Sequence, residues 1–121
     1  METISDEHNS IYEELLNIPP IRLIDFNEPL SQLTKSQREK LISGYDLKNL
    51  AKVFEDEGMM KTAEAFFNNG MNVSRTARKL YMHRNTLIYK LNAIIKLTGL
   101  DLRDFNMAVT FKILHTLYVL K

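Results

Sequence analysis

Two apolar stripes at helical spacing, both within residues 72–98, limit the fold of this chain more than any other feature. In the first stripe, Val73, Ala77 and Leu80 recur at i, i+4 and i+7, which places them on one face of a helix. The second stripe consists of Leu87, Leu91, Ile94, Ile95 and Thr98. A small residue such as Ala77 suits the point at which two helices cross closely. The two stripes therefore predict a helix-turn-helix.

The outward faces of the two predicted helices are polar and basic. Opposite the first stripe lie Arg75, Arg78 and Lys79. On the second helix, predicted at about 84–98, the outward stripe consists of Asn85, Tyr89, Asn92 and Lys96. The major groove of B-DNA is about 12 Å wide and admits a helix of this kind. We therefore predict a surface that binds double-stranded DNA.

Charge is divided unevenly along a chain whose formal net charge is only +1. Residues 1–65 hold 13 of the 15 acidic residues and 7 of the 16 basic ones, a net charge of −6, whereas the remainder carries +7. Between residues 66 and 100 there are six lysines and arginines and no acidic residue. A few scattered lysines usually form a solvated helix face, but six cations on two consecutive helices favour contact with phosphates.

Composition predicts one all-α domain, a helical bundle, with an appended arm. The chain has 121 residues, 45% of them hydrophobic, with only 4 glycines and 3 prolines. It contains no apolar run long enough to span a membrane, and its first residues lack the pattern of a secretory signal. We therefore expect a cytoplasmic protein. The absence of cysteine excludes disulfides and thiolate metal ligands.

The pattern divides the chain into an N-terminal arm, residues 1–44, and a helix-turn-helix domain, residues 45–121. In the arm, a capping box predicts a short helix at 11–17, followed by a proline-containing extended connector at 18–30. A second capping box, Ser36 with Glu39, predicts a helix that ends near Ser43, with Gly44 as its stop.

Further helices are predicted on both sides of the motif. Asp46 is expected to cap a helix with the apolar stripe Leu47, Leu50, Ala51 and Phe54, and Gly58 to break it. The next helix is predicted at 59–68, and Asn69 with Gly70 closes it. Its expected buried residues are Met60, Ala63, Phe66 and Phe67. Gly99 is predicted as the left-handed C-cap of the second motif helix.

The final helix, capped by Asp101 or Asp104, has large apolar residues on more than one face. Such a helix is either central to the core or part of a subunit interface. We expect a homodimer formed through this helix, the N-terminal arm or both, which would place two recognition helices one DNA turn apart. The alternative is that the arm folds back over the same surface through Ile11, Leu15, Leu16, Ile21 and Leu23.

Three strings indicate a family: TARKL at 76–80, HRNTLIYKL at 83–91 and LTGLDL at 97–102. Together they closely resemble the C-terminal helix-turn-helix domain of PucR/CdaR-type bacterial transcription regulators, over about residues 59–120. The motif is also similar to that of the factor for inversion stimulation, in which an arginine in the first turn of the recognition helix reads guanine. Arg84 has that position. Lys90 stands where arginine is usual.

Members of this family usually carry a long N-terminal sensor or diguanylate-cyclase-like region. Here only an acidic arm precedes the domain, so two interpretations stay open: a stand-alone DNA reader, or a fragment of a longer regulator.

The predicted DNA-binding residues are Ser74, Arg75, Arg78, Lys79, His83, Arg84, Asn85, Thr86, Tyr89 and Lys90. Arg84 is expected to read a base, and Arg75, Arg78, Lys79 and Lys90 to hold phosphates. Capping of the helix N-terminus is an alternative role for His83, Asn85 and Thr86. Tyr89 is predicted to contact a phosphate or a thymine methyl group, or else to pack against a neighbouring helix.

The sequence indicates no enzyme, cofactor or metal site. It contains no glycine-rich phosphate loop and no nucleophile elbow. The three histidines lack metal-ligand spacing, and the acidic run 55–57 is better explained as a solvated helix end. The leading hypothesis is a sequence-specific DNA-binding transcriptional regulator. The alternatives are a protein-interaction module that docks an acidic partner, such as RNA polymerase or a sensor protein, and a nucleoid-associated protein that binds DNA with low specificity.

Overall fold

A computed structural model describes residues 26–120, and within that range the chain is entirely helical, with no strand. The all-α prediction is confirmed. The predicted helix at 11–17, most of the connector and the arm residues of the fold-back alternative lie outside the described residues. The seven helices are α1 (Asn27–Ser31), α2 (Lys35–Ile42), α3 (Leu47–Phe54), α4 (Glu57–Asn68), α5 (Val73–Lys79), α6 (Arg84–Thr98) and α7 (Phe105–Leu120).

Local capping chemistry determines where the helices before the motif begin. Asp46 caps α3 as predicted, its side chain accepting hydrogen bonds from the backbone N–H groups of Lys48 and Asn49. The predicted capping box of α2 was wrong by two residues. Thr34 is the cap, and its hydroxyl accepts from the Gln37 N–H at 3.1 Å while the Gln37 side chain accepts from the Thr34 N–H at 2.9 Å.

Two further predictions about these helices were wrong. Gly58 does not end α3, which stops at Phe54; it lies in the first turn of α4, behind the Asp56 cap. Residues 27–30 are not extended, because α1 forms one helical turn there. The short α1 is positioned by its packing, together with α2, against α7.

The core lies where α3, α4 and α5 pack against α6. Its largest fully buried side chains are Phe66, Phe111, Leu50, Leu87, Leu91, Ile94, Leu102, Val53 and Thr76. The predicted stripe of α3 was partly wrong, because Val53 is buried whereas Leu47 is 41% exposed. In α4, Ala63 and Phe66 are buried as predicted, and Met60 and Phe67 are half-buried against the core. Of the motif's two predicted stripes, Ala77, Leu87, Leu91 and Ile94 are buried as expected, whereas Val73, Leu80, Ile95 and Thr98 are half-buried.

The last helix, α7, contributes one face to the core through Ala108, Phe111, Leu114 and Leu117. Its cap is Asp104, whose side chain accepts from the Met107 N–H at 3.0 Å. Among the described residues, no helix combines the length and apolar character needed to cross a lipid bilayer.

Candidate nucleic-acid interface

The first helix of the motif, α5, is fixed at its start by Asn72. The Asn72 side chain accepts a hydrogen bond from the Arg75 N–H at 2.8 Å, so it is the N-cap. The hydroxyl of the fully buried Thr76 donates to the Asn72 carbonyl at 2.7 Å. Ala77, 4% exposed, lies in the core where α5 packs on α6. The sequence identified Ala77 but not the buried Thr76.

In the turn between the two motif helices, two backbone hydrogen bonds to the last turn of α5 end that helix. The Met82 N–H donates to the Ala77 carbonyl at 3.0 Å, and the Tyr81 N–H donates to the Arg78 carbonyl at 3.2 Å. This is a Schellman arrangement, which requires a left-handed residue after the C-cap. Tyr81 adopts that conformation, with φ of +53°. The turn therefore fixes the angle at which α6 follows α5.

The second helix of the motif, α6, begins at Arg84, and His83 is its N-cap. The Nδ1 atom of His83 accepts a hydrogen bond from the Asn85 N–H at 3.1 Å. The capping interpretation is thus confirmed for His83, and it was wrong for Asn85 and Thr86. His83 is the side chain that caps α6, and the side chains of Arg84, Asn85 and Thr86 are exposed.

The predicted contact residues lie at the surface of α5 and α6 and the turn between them. Ser74, Arg75, Arg78, Lys79, His83, Arg84, Asn85, Thr86 and Tyr89 are exposed, and Lys90 is half-buried. The Tyr89 side chain is 75% exposed, so it adds little to packing. Arg75, Arg78 and Lys79 line a shallow depression of about 340 Å³ together with Tyr81.

This surface is positively charged because residues 66–100 contain no Asp or Glu. None of the six cations between residues 66 and 100 forms an ion pair with an acidic residue of the described part of the chain. Their charges are therefore available to an anionic partner. Within the same described range, no cluster of His, Asp or Glu side chains is arranged to hold a metal ion.

The far end of α6 is held by a cluster that the sequence pattern missed. Gly99 ends the helix with φ of +77°, as predicted. Beyond it, the Arg103 guanidinium donates to Asn92 Oδ1 at 3.0 Å and pairs with Asp101 at 2.8 Å. The side-chain hydrogen bond from Arg103 lowers the pKa of the Asp101 carboxyl. The exposed Asn92 of α6 is thereby hydrogen-bonded to the loop before α7.

The sequence of residues 59–114 matches the family described as the PucR C-terminal helix-turn-helix domain. The match begins in α4 and ends in α7, so it includes both motif helices and the basic surface. Residues 59–114 are a PucR-type helix-turn-helix domain. The predicted family is confirmed. No solved structure matches the chain.

Curated proteins similar to this PucR-type domain include transcription regulators. The Carbohydrate diacid regulator of Escherichia coli (strain K12) is 41% identical over 56 residues, which are 46% of this chain and 14% of that protein. The Purine catabolism regulatory protein of Bacillus subtilis (strain 168) is 28% identical over 99 residues, 80% of the chain and 16% of that protein. The Proline-responsive transcriptional activator PutR of the same strain is 35% identical over 66 residues, 50% and 16% respectively. The chain thus spans about a sixth or less of these relatives.

Proposed function

We propose that this chain binds double-stranded DNA as part of a transcriptional regulator and reads a specific sequence in the major groove with α6. The observation that carries the proposal is the exposed first turn of α6. There, His83 is the cap, and the side chains of Arg84, Asn85 and Thr86 are exposed. They lie next to a basic surface whose cations pair with no acidic residue in the described part of the chain. Residues in this position of a helix-turn-helix meet base edges. A protein with this function acts on chromosomal DNA, which in a bacterial cell lies in the cytoplasm.

The side chains divide into two proposed roles according to their positions. Arg84 is suited to donate two hydrogen bonds to guanine O6 and N7, and Asn85 to pair with adenine N6 and N7. Arg75, Arg78 and Lys79 lie on α5, outside the groove-entering helix, and are suited to phosphate oxygens. Lys90, on α6, is proposed as a further phosphate contact. Ser74, His83, Thr86 and Tyr89 complete the proposed surface.

Selection of duplexes from a random pool, followed by gel shifts, tests this function. The parent protein is expected to enrich a defined sequence and to bind it more tightly than random DNA. Binding of all duplexes with equal affinity would favour a nucleoid-associated role. Failure to bind any duplex would favour the remaining alternative, a basic surface that docks an acidic protein such as RNA polymerase or a sensor protein.

The roles of individual arginines are separated by two matched variants. Arg84→Ala is expected to cost about 1–3 kcal/mol of binding to the selected duplex and to relax the preference at one base pair. Arg75→Ala, the control, should weaken binding to selected and random duplexes alike. If Arg84→Ala keeps the parent's ratio of selected to random affinity, Arg84 does not read a base.

We also propose that two copies of this chain pair through α7. Phe105 is 66% exposed and Val119 is 64% exposed, and their separation of 14 residues, about four helical turns, returns them to nearly the same side of the helix. Large apolar side chains exposed at the two ends of one side of a helix favour a partner surface. A two-fold pair would present two α6 helices to successive major grooves and would require a palindromic site.

A further inference from the structure

Tyr81 has a backbone conformation that is unfavourable for tyrosine. Its φ of +53° lies in the left-handed region, which glycine adopts freely and in which the Cβ of any other L-residue crowds a carbonyl oxygen. Gly70 and Gly99 adopt the left-handed conformation at the ends of α4 and α6. At the end of α5, the chain has a tyrosine in the corresponding place.

Packing does not compensate for this conformation. The Tyr81 side chain is 97% exposed, more than any other large hydrophobic side chain of the described residues. Aromatic residues stabilise a fold by burying most of their surface, and this one buries almost none. The stability of the fold therefore gives no reason for a tyrosine, rather than a glycine, in this turn.

The surroundings of Tyr81 suggest what the side chain contacts instead. It shares the depression of about 340 Å³ with Arg75, Arg78 and Lys79, all three of them exposed cations. The turn also leads directly into the cap of α6, so Tyr81 lies between the phosphate-binding side of α5 and the groove-facing start of α6. A phenol O–H donates to phosphate oxygens, as tyrosines do in many protein–DNA interfaces.

We propose that Tyr81 is a DNA contact, whose hydroxyl donates a hydrogen bond to a backbone phosphate held between Arg75, Arg78 and Lys79. This inference rests on the proposed DNA-binding function. It adds to that function an uncharged contact residue in the turn. The residue orients the sugar–phosphate backbone beside α6 without distinguishing one base from another.

Two substitutions separate the hydroxyl from the backbone strain. Tyr81→Phe keeps the ring and the left-handed conformation but removes the donor. Tyr81→Gly removes the side chain and the strain, so it is expected to raise the urea midpoint of unfolding while it weakens binding. Each variant of the full chain is titrated with the duplex selected for the parent and with a random duplex. Tyr45→Phe, at the partly exposed Tyr45 in the turn between α2 and α3, is the matched control.

The expected signature is a loss of affinity without a change in salt dependence. Tyr81→Phe should bind both duplexes about tenfold more weakly, the effect of one hydrogen bond to a charged acceptor. Because the phenol carries no charge, the slope of log K against log salt should equal the parent's, whereas Arg78→Gln should make it shallower by about 0.9. Tyr45→Phe should bind like the parent.

The outcomes that contradict the inference are distinct from failure of the function itself. If the parent binds DNA and Tyr81→Phe binds with parental affinity, the Tyr81 hydroxyl is not a contact and the inference is wrong, whereas the proposed function stands. If Tyr81→Gly binds more tightly than the parent, the tyrosine obstructs DNA and the inference is also wrong. If the parent binds no duplex, both the function and the inference fail.

Discussion

At the scale of single residues, Asn72 connects the stability of the motif with its basic surface. Its side chain caps α5 by accepting from the Arg75 N–H, and its carbonyl accepts from the buried Thr76 hydroxyl. The same residue is exposed at the edge of the proposed phosphate-binding surface. A change at Asn72 is therefore expected to alter stability through the cap and, where it introduces a charge, to alter the proposed DNA binding. The two effects are separable.

Asn72→Ala and Asn72→Asp are expected to differ in this respect. Removal of the cap in Asn72→Ala should lower the free energy of unfolding by about 0.5–2 kcal/mol. Asn72→Asp keeps an acceptor and should leave stability near the parent's, but its negative charge beside Arg75 should weaken binding to every duplex. Urea titration and gel shifts measure the two effects. If Asn72→Asp binds DNA as tightly as the parent, no DNA phosphate lies near the start of α5.

At the scale of helices, α7 is attached to α3 through an aromatic cluster. The Phe54 ring lies 5.3 Å from Phe111, 5.1 Å from His115 and 5.4 Å from Tyr118, measured between centroids. The Tyr118 hydroxyl donates to the Glu55 carboxylate. Burial lowers the pKa of His115 from its ordinary value of 6.5, an effect that Lys112 supports and Glu64 opposes. The neutral imidazole is therefore the form that fits this contact.

Stability is accordingly expected to fall in mild acid. A base whose pKa is lower in the folded state than in the unfolded state stabilises the fold above its ordinary pKa, and that contribution is lost as pH falls through the folded value. The free energy of unfolding should thus decrease between about pH 7.5 and about pH 5, either side of the ordinary histidine value. His115→Phe should reduce this decrease. An identical pH profile for the parent and the variant would show that protonation of His115 does not weaken the fold.

Local chemistry made most helix ends predictable, and the exceptions arise from an ambiguous local pattern or from non-local packing. Asp46, Gly99 and the motif stripes act through neighbouring residues, which the sequence displays directly. The segment 34–39 contains two overlapping capping patterns of equal local merit, so the sequence did not distinguish Thr34 from Ser36. Helix α1 depends on α7, which is distant in the sequence.

The candidate site was predictable to a similar degree. The cations were found because no acids accompany them in the sequence. The hydrogen bond between Arg103 and Asn92 was not predicted, because it joins residues 11 positions apart across a turn. Tyr81 was missed because a left-handed tyrosine lacks the glycine that normally marks such a turn.

At the scale of the whole molecule, the division of charge predicts how binding responds to salt. The basic residues after position 65 outweigh the acidic ones by seven, and the six cations of residues 66–100 have no acidic partner among the described residues. If about four to six phosphates are neutralised per subunit, each subunit should contribute about −3.6 to −5.4 to the slope of log K against log salt, and a bound dimer twice that. Fluorescence anisotropy over a series of salt concentrations measures it. A slope shallower than about −2 for the complex would favour a protein partner over DNA.

The proposed pairing through α7 gives a second prediction at this scale. Sedimentation equilibrium of the parent at micromolar concentration should show a species of twice the 14.1 kDa chain mass. Phe105→Asp with Val119→Lys should shift the population to monomer and weaken binding to a palindromic duplex, because both side chains are exposed and their replacement leaves the core intact. Asn68→Asp, at an exposed position on α4, is the control. A parent that stays monomeric with and without DNA would contradict the dimer.

The position of α6 in the bundle has an evolutionary consequence. Its inner side packs against α3, α4 and α5, while the side chains of its first turn contact solvent. Substitutions at Arg84, Asn85 and Thr86 leave Leu87, Leu91 and Ile94 in place, so the first turn of α6 can change while the core persists. Under the proposed function, a few such surface changes give a new target site on the same architecture.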